Sequence, residues 1–223
     1  MTISLILPYW KRQAAADKAL AMLGALYADR DIEVIVVDDG DPDQFIEPRT
    51  NLDLKVLRLP RKDSPKSPVT CWNEGVKMAS GDVIALSCIE VLHRGLVLPA
   101  MEEALEEVGD DGYILAAAWC PEQRAWHTHS SLIVPQCPPG TGLAFLGMMN
   151  RSLYERAGGF DEAYRDGAGY EDRDFIHRLH RAGAQFTIRD DLVVDHPKTG
   201  ATIKWPAEAF SRNKMIFEEK WIN

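Results

Sequence analysis

At 223 residues, with 46% hydrophobic and 26% charged residues, the chain has the size and balance of one sizeable soluble α/β domain, or of two small lobes sharing a core. Its net charge of −9 argues against nucleic acid as a main partner, since phosphate backbones need a basic surface; a nucleotide, whose few charges can be met locally, stays possible. Cys71, Cys88, Cys120 and Cys137 fall in no metal-binding spacing and read as reduced thiols of a cytoplasmic protein; no run is long and apolar enough to span a bilayer, and the start lacks a signal-peptide core.

Ile3 to Leu7, ended by Pro8, is a short apolar run that predicts a buried strand. Residues 13–28 carry Ala16, Leu20, Leu23, Leu26 and Tyr27 at helical spacing. Ile32 to Val37 is a second buried run, ending in Asp38-Asp39-Gly40. Strand, helix and strand with short joins predict a βαβ unit with parallel neighbouring strands. Ligands of such sheets sit beyond the carboxyl ends of the strands, here Pro8-Tyr9 and Asp38-Asp39. The aspartates are either turn formers or acceptors for a nucleobase N–H and ribose hydroxyls, and Tyr9 can stack or cap.

Val56 to Leu59 predicts a third strand, followed by a polar, proline-rich loop over 60–68. A helix is expected over 69–79, carrying Asn73 and Gly75, and a strand over 82–86. After that strand stands Ser87-Cys88-Ile89-Glu90-Val91-Leu92-His93, with Glu90 its one acid. Residues 96–108 predict an amphipathic helix with an outward glutamate run, and 113–119 another strand. Residues 126–129 alternate, so His127 and His129 share a face, open to metal binding or to plain exposure; His177 and His180 pose the same choice on a helix. Pro138 to Gly142 reads as a loop, and the apolar run from Phe145 to Met149 around Gly147 leads into a helix over 151–157.

The stretch from Gly158 to Gly183 organises the rest. Its first half is a glycine turn, Gly158-Gly159-Phe160-Asp161-Glu162. In its second half, Phe175, Ile176, Leu179 and Ala182 recur at helical spacing up to Gly183, and Glu171, Asp172 and Asp174 open the helix, where its dipole favours their charge. Either these are ordinary first-turn acids, or, with Asp174 paired to Arg178, Glu171 and Asp172 face a cleft and one accepts a proton from a sugar hydroxyl. Beyond, 186–188 and 192–194 read as short strands before Asp195-His196-Pro197, then a segment 198–205 with the composition of a lid and a helix over 206–221.

GGFDE followed by GxGYEDRDF resembles the acceptor-side motif of inverting family-2 glycosyltransferases of the GT-A fold, including their galactosyl- and N-acetylgalactosaminyl-transferase branches. Leu-Pro-Tyr at the first strand and Val-Val-Asp-Asp-Gly at the second resemble the nucleotide-binding half of that family. The resemblance implies an α/β, Rossmann-like, mostly parallel sheet with helices on both faces, one continuous domain with residues 1–110 on the donor side and 111–223 on the acceptor side. It implies Asp172 as catalytic base, Glu171 holding the acceptor, and Pro8, Tyr9, Asp38, Asp39 and Asn73 near the nucleotide. Gly147, Gly159, Phe160 and Asp161 would border the acceptor. The family's usual Asp-x-Asp is replaced here by the single Glu90, with His196 where a histidine can complete a manganese or magnesium site. Asn73 is equally readable as a surface residue and His196 as structural.

The function expected is transfer of a sugar from a nucleotide-sugar, UDP being the usual nucleotide of the family, to a carbohydrate or other hydroxyl acceptor. The alternatives are a GT-A-like binding module that has lost its chemistry with its metal motif, and a nucleotidyltransferase. The latter is disfavoured because Pro8-Tyr9-Trp10-Lys11-Arg12 lacks the glycines of a phosphate loop.

Overall fold

The computed structural model describes residues 2–60, 67–132, 145–198 and 205–222. Cys137, the expected loop at 138–142, and most of the 60–68 loop and of the 198–205 segment lie outside the described residues. The strands are β1 (Ile3–Tyr9), β2 (Ile32–Asp38), β3 (Asp53–Arg58), β4 (Val83–Ser87), β5 (Leu92–His93), β6 (Gly112–Cys120), β7 (Ala125–Thr128), β8 (Leu146–Asn150) and β9 (Gln185–Asp195). The helices are α1 (Gln13–Tyr27), α2 (Val69–Met78), α3 (Val97–Val108), α4 (Arg151–Ala157), α5 (Glu171–Arg181) and α6 (Ala207–Trp221). None is long and apolar enough to cross a membrane among the described residues.

One sheet runs in the order β3-β2-β1-β4-β8-β6-β9-β5, with β7 on β6. Its first half, β3-β2-β1-β4, is parallel throughout. The second half is mixed: β8 runs antiparallel to both β4 and β6, β5 to β9 and β7 to β6, while β9 runs parallel to β6. The two short strands expected at 186–188 and 192–194 are one strand, β9, whose pairing with β6 shifts register between Ala116 and Ala117. The polar Arg189-Asp190-Asp191 step sits at that shift and made one element read as two.

The strands are apolar on both faces because helices cover both. Leu5, Leu7, Val34 and Val36 pack with Leu20 and Leu23 of α1 and Leu98 and Met101 of α3. Ile6, Ile35 and Val37 point the other way, onto α2, with α4, α5 and Phe217 of α6 continuing that layer. Each fully buried aliphatic side chain in these layers contributes about 1.5–3 kcal/mol. Glu33, buried at the far edge of β2, accepts from Lys55, Ser4 and the Ser80 and Gly81 amides. Burial alone would raise its pKa, but these donors outweigh it and hold the carboxyl at about 2.

Candidate active site

The carboxyl ends of β1, β2 and β4 open into a cleft of about 210 Å³ walled by Pro8, Tyr9, Asp39 and Glu90, and closed from the other side by Glu171 and Trp205. The aspartate pair divides its work. Asp38 is spent on its own loop, accepting from the Asp41 amide (2.9 Å) and the Phe45 amide (2.9 Å). Asp39 is the member that lines the cleft, its amide tied to the Tyr9 carbonyl (3.0 Å). Tyr9 is itself buried against Phe45, ring centroids 4.9 Å apart. Asp41 accepts from the Lys11 amide (2.7 Å) and so pins the loop after β1 to the loop after β2.

At the end of β4, Glu90 is 6% exposed and bound by the Arg12 guanidinium. His196 Nε2 stands 3.5 Å from the same oxygen, and His196 Nδ1 lies 3.0 Å from His127 Nδ1, whose ring reaches Gln123 at 2.6 Å. Burial raises the Glu90 pKa, but His196 and Arg12 prevail and keep the carboxylate ionised. The structure thus brings together Glu90 and His196, the two residues expected to hold a divalent ion. They do not fit that ion as they stand. A hard cation wants several oxygens, the one carboxylate is already neutralised by Arg12, and no cluster of three ligating side chains exists among the described residues. His93, two residues from Val91, is turned away into the core, 2.7 Å from the Tyr27 hydroxyl.

Across the cleft, α5 starts at Tyr170, whose φ of 69° is left-handed. A non-glycine residue there costs about 1–2 kcal/mol. It turns the chain sharply so that the first helical turn faces inward. Asp174 is fully buried and takes Arg178 (2.9 Å), Lys220 (2.6 Å) and Trp221 Nε1 (2.7 Å). Glu171 and Asp172 remain toward the interior. Burial, then repulsion from Asp172, pushes Glu171 up to about 7. One of its oxygens is shut from solvent and has no hydrogen-bond partner among the described residues; the Ser67 hydroxyl lies beside it, short of a well-formed bond. Burial also raises Asp172, against the Arg173 amide at 2.7 Å.

The other expected acceptor residues are mostly architecture. Gly159 (φ 64°) could not carry a side chain, since a Cβ would come within 2.8 Å of Asn73 Oδ1. Asn73, expected near the nucleotide, is not among the residues that line the cleft. Its amide holds both the carbonyl and the N–H of Phe160, with Tyr154 and Glu162 as further partners. Asp161 caps the turn at Glu162–Tyr164 through the Ala163 amide and is ion-paired to Lys220 (2.8 Å) and Arg178 (3.2 Å). Phe160 does reach a cavity wall, stacked on Phe175 at 4.1 Å. Sequence reasoning missed Arg12, 78 positions from its partner Glu90, and the hold of α6 on the acceptor-side loop. That hold includes the buried Asn213, which donates to the Tyr164 (3.1 Å) and Gly169 (2.9 Å) carbonyls. The basic residues of the tail were the only signal for it.

A parallel half-sheet continued by mixed strands, with a cleft at the carboxyl ends of its first strands, is a GT-A fold. The sequence profile of Glycosyl transferase family 2 matches residues 4–164, most of the chain, and the chain belongs to that family. Its fold is similar to that of Staphylococcus aureus TarS. The structure of TarS residues 1–349 in complex with UDP-GlcNAc matches with a TM-score of 0.76 at 17% identity, over 100% of this chain and 67% of that one. The complex with UDP matches at 0.72 and 18%, over 88% and 60%. A dolichol-phosphate mannosyltransferase of Pyrococcus furiosus is 26% identical over 111 residues, 49% of this chain and 32% of the relative. The chain therefore spans about a third of the length of that curated relative.

Proposed function

We propose that the chain transfers a sugar from a nucleotide-sugar, with UDP as the nucleotide, to a hydroxyl acceptor, inverting the anomeric carbon. The observation that carries this reading is the placement of Glu171 on α5 across the cleft from Asp39 and Arg12, with its neighbour Asp172 in the adjoining cavity. The TarS complexes with UDP and UDP-GlcNAc, on the same fold, support the choice of donor. In this reading residues 1–110 supply most of the donor site and 111–223 most of the acceptor site within one continuous domain, with Trp72 and Cys88 of the first part and Glu171 of the second bordering both.

In this mechanism Asp172 takes the proton of the acceptor hydroxyl. The oxygen attacks the anomeric carbon, and the bond from that carbon to the diphosphate oxygen breaks, its electron pair leaving with UDP. Asp39 accepts from the base or ribose. Arg12, the one cationic side chain among the described residues lining the cleft, offers its remaining N–H donors to the leaving diphosphate while sharing its charge with Glu90. Glu171, titrating near 7, orients the acceptor and keeps a second full charge away from Asp172 in the acid form. A family-typical divalent ion has no step here, because Arg12 occupies the carboxylate it would need.

A second reading, a binding module without turnover, draws on the same Arg12–Glu90 pair as a mark of a lost metal motif. Calorimetric titration of UDP and GDP into the full chain tests both. Binding of UDP in preference to GDP supports the donor site; binding of neither removes it. Release of free sugar from a UDP-sugar then separates enzyme from module.

A further inference from the structure

Behind the donor cleft lies a second cavity of about 210 Å³. Pro68, Trp72, Cys88 and Glu171 line both, so the two adjoin across these side chains. Its walls are largely rings. Trp72 stacks on Phe160 (5.9 Å, 18°) and Phe160 on Phe175 (4.1 Å, 16°), with Phe145 and Tyr113 also lining it.

Tyr113, on β6, is 0% exposed, yet its hydroxyl has no hydrogen-bond partner among the described residues. A buried hydroxyl left so carries the cost of an unmet bond, and such groups call for an explanation. Gly147 on β8 makes the room for it, since a Cβ there would fall 2.4 Å from the phenol oxygen. Burial, then the charge of Asp172, pushes the Tyr113 pKa up, so the phenol stays a donor. The polar side-chain groups lining this cavity, among the described residues, are the Tyr113 hydroxyl, the carboxyls of Glu171 and Asp172, the Trp72 indole N–H and the Cys88 thiol.

We infer that this inner cavity is the acceptor site and that it takes a hydroxyl compound with an apolar or aromatic ring as its body, Tyr113 bonding the hydroxyl that faces Asp172. The inference rests on the transferase reading above. A cavity of about 150 Å³ lined by apolar side chains holds benzene, so this one has room for a six-membered ring and a substituent. These polar groups sit among the rings of Trp72, Phe145, Phe160 and Phe175 and the side chains of Leu86 and Ile176, so most of an acceptor's surface meets apolar wall, which suits an apolar or aromatic ring better than a fully hydroxylated hexose.

The probes are p-cresol and methyl β-glucopyranoside, titrated by calorimetry into the full chain with and without saturating UDP. Wild type is expected to bind p-cresol at least tenfold more tightly than the glucoside. Tyr113→Phe is expected to weaken p-cresol roughly tenfold, the worth of one hydrogen bond, with UDP affinity unchanged. Its melting temperature should hold or rise, because the lost hydroxyl has no partner in the free protein; a structural hydroxyl would lower it. Gly147→Ala, which crowds the phenol, should weaken p-cresol as well. Glucoside binding as tight as that of p-cresol, no p-cresol binding, or indifference to Tyr113→Phe would overturn the inference. Loss of UDP binding alone, with p-cresol still held, would instead count against the donor reading.

Discussion

Asn73 and Phe160, 87 positions apart, are joined by two hydrogen bonds: the Asn73 amide nitrogen donates to the Phe160 carbonyl at 3.0 Å, and its oxygen accepts from the Phe160 N–H at 3.0 Å. The pair fixes the glycine turn before α5 to α2. Because Tyr154 and Glu162 share the same amide, Asn73→Ala strands several groups at once. A loss of about 2–4 kcal/mol in urea unfolding is expected, with UDP affinity of the folded variant unchanged. A selective loss of UDP affinity would return Asn73 to the nucleotide site.

Glu171 gives stability a pH dependence of defined sign. Its carboxyl is raised from 4.5 to about 7 in the folded chain, so between those values the folded state holds a proton that the unfolded state has released. Stability therefore falls as pH rises from about 4.5 to about 7, by about 3 kcal/mol at most, and levels off above. Glu171→Gln should flatten this limb of the curve. Glu33 acts at the other end: held at about 2, its contribution is present above 4.5 and lost as pH falls through 2. Denaturation midpoints taken from pH 2 to 8 check both.

Arg12 is bound to Glu90 and lines the donor cleft, so its removal leaves the Glu90 carboxylate unpaired beside the diphosphate. Arg12→Met is expected to weaken UDP roughly tenfold or more and to lower the salt dependence of binding. Wild-type affinity should be indifferent to added manganese. A manganese requirement that disappears in Glu90→Ala would instead establish Glu90 as a metal ligand.

The last turn of α6 holds the acceptor-side loop through a fully buried carboxylate. Asp174 meets Lys220, Trp221 and Arg178 together. Asp174→Ala leaves Lys220 and Arg178 with Asp161 alone and the Trp221 indole N–H without its acceptor, and should cost about 1.5–3 kcal/mol. Lys220→Met, which keeps the stem and removes the charge, should cost less. Thermal unfolding of the two variants gives the order.

How legible all this was depended on range. The runs at Ile3–Leu7 and Ile32–Val37 announced a βαβ unit because both faces of those strands are covered, and continuous apolar runs follow from that alone. The acids at Glu171 and Asp172 were legible because the Asp174–Arg178 spacing explained away their neighbour. The role of Asn73 was not, since its partners come from a turn that only the tertiary fold brings near. Tyr113 sits inside an apolar run and looked like core; only the missing partner of its hydroxyl sets it apart. The bulge in β9 hid one strand as two, because a register shift lets polar residues interrupt an element without ending it.

The central claim is that Asp172 is the general base of a sugar transfer from a nucleotide-sugar. The most direct measurement is release of UDP from a panel of UDP-sugars by wild type and by Asp172→Asn, with UDP affinity measured alongside. The account predicts turnover by wild type and a loss of 10²–10⁴-fold in Asp172→Asn, with UDP bound equally well by both. Full turnover in Asp172→Asn, or none in wild type for any donor despite tight UDP binding, would contradict it.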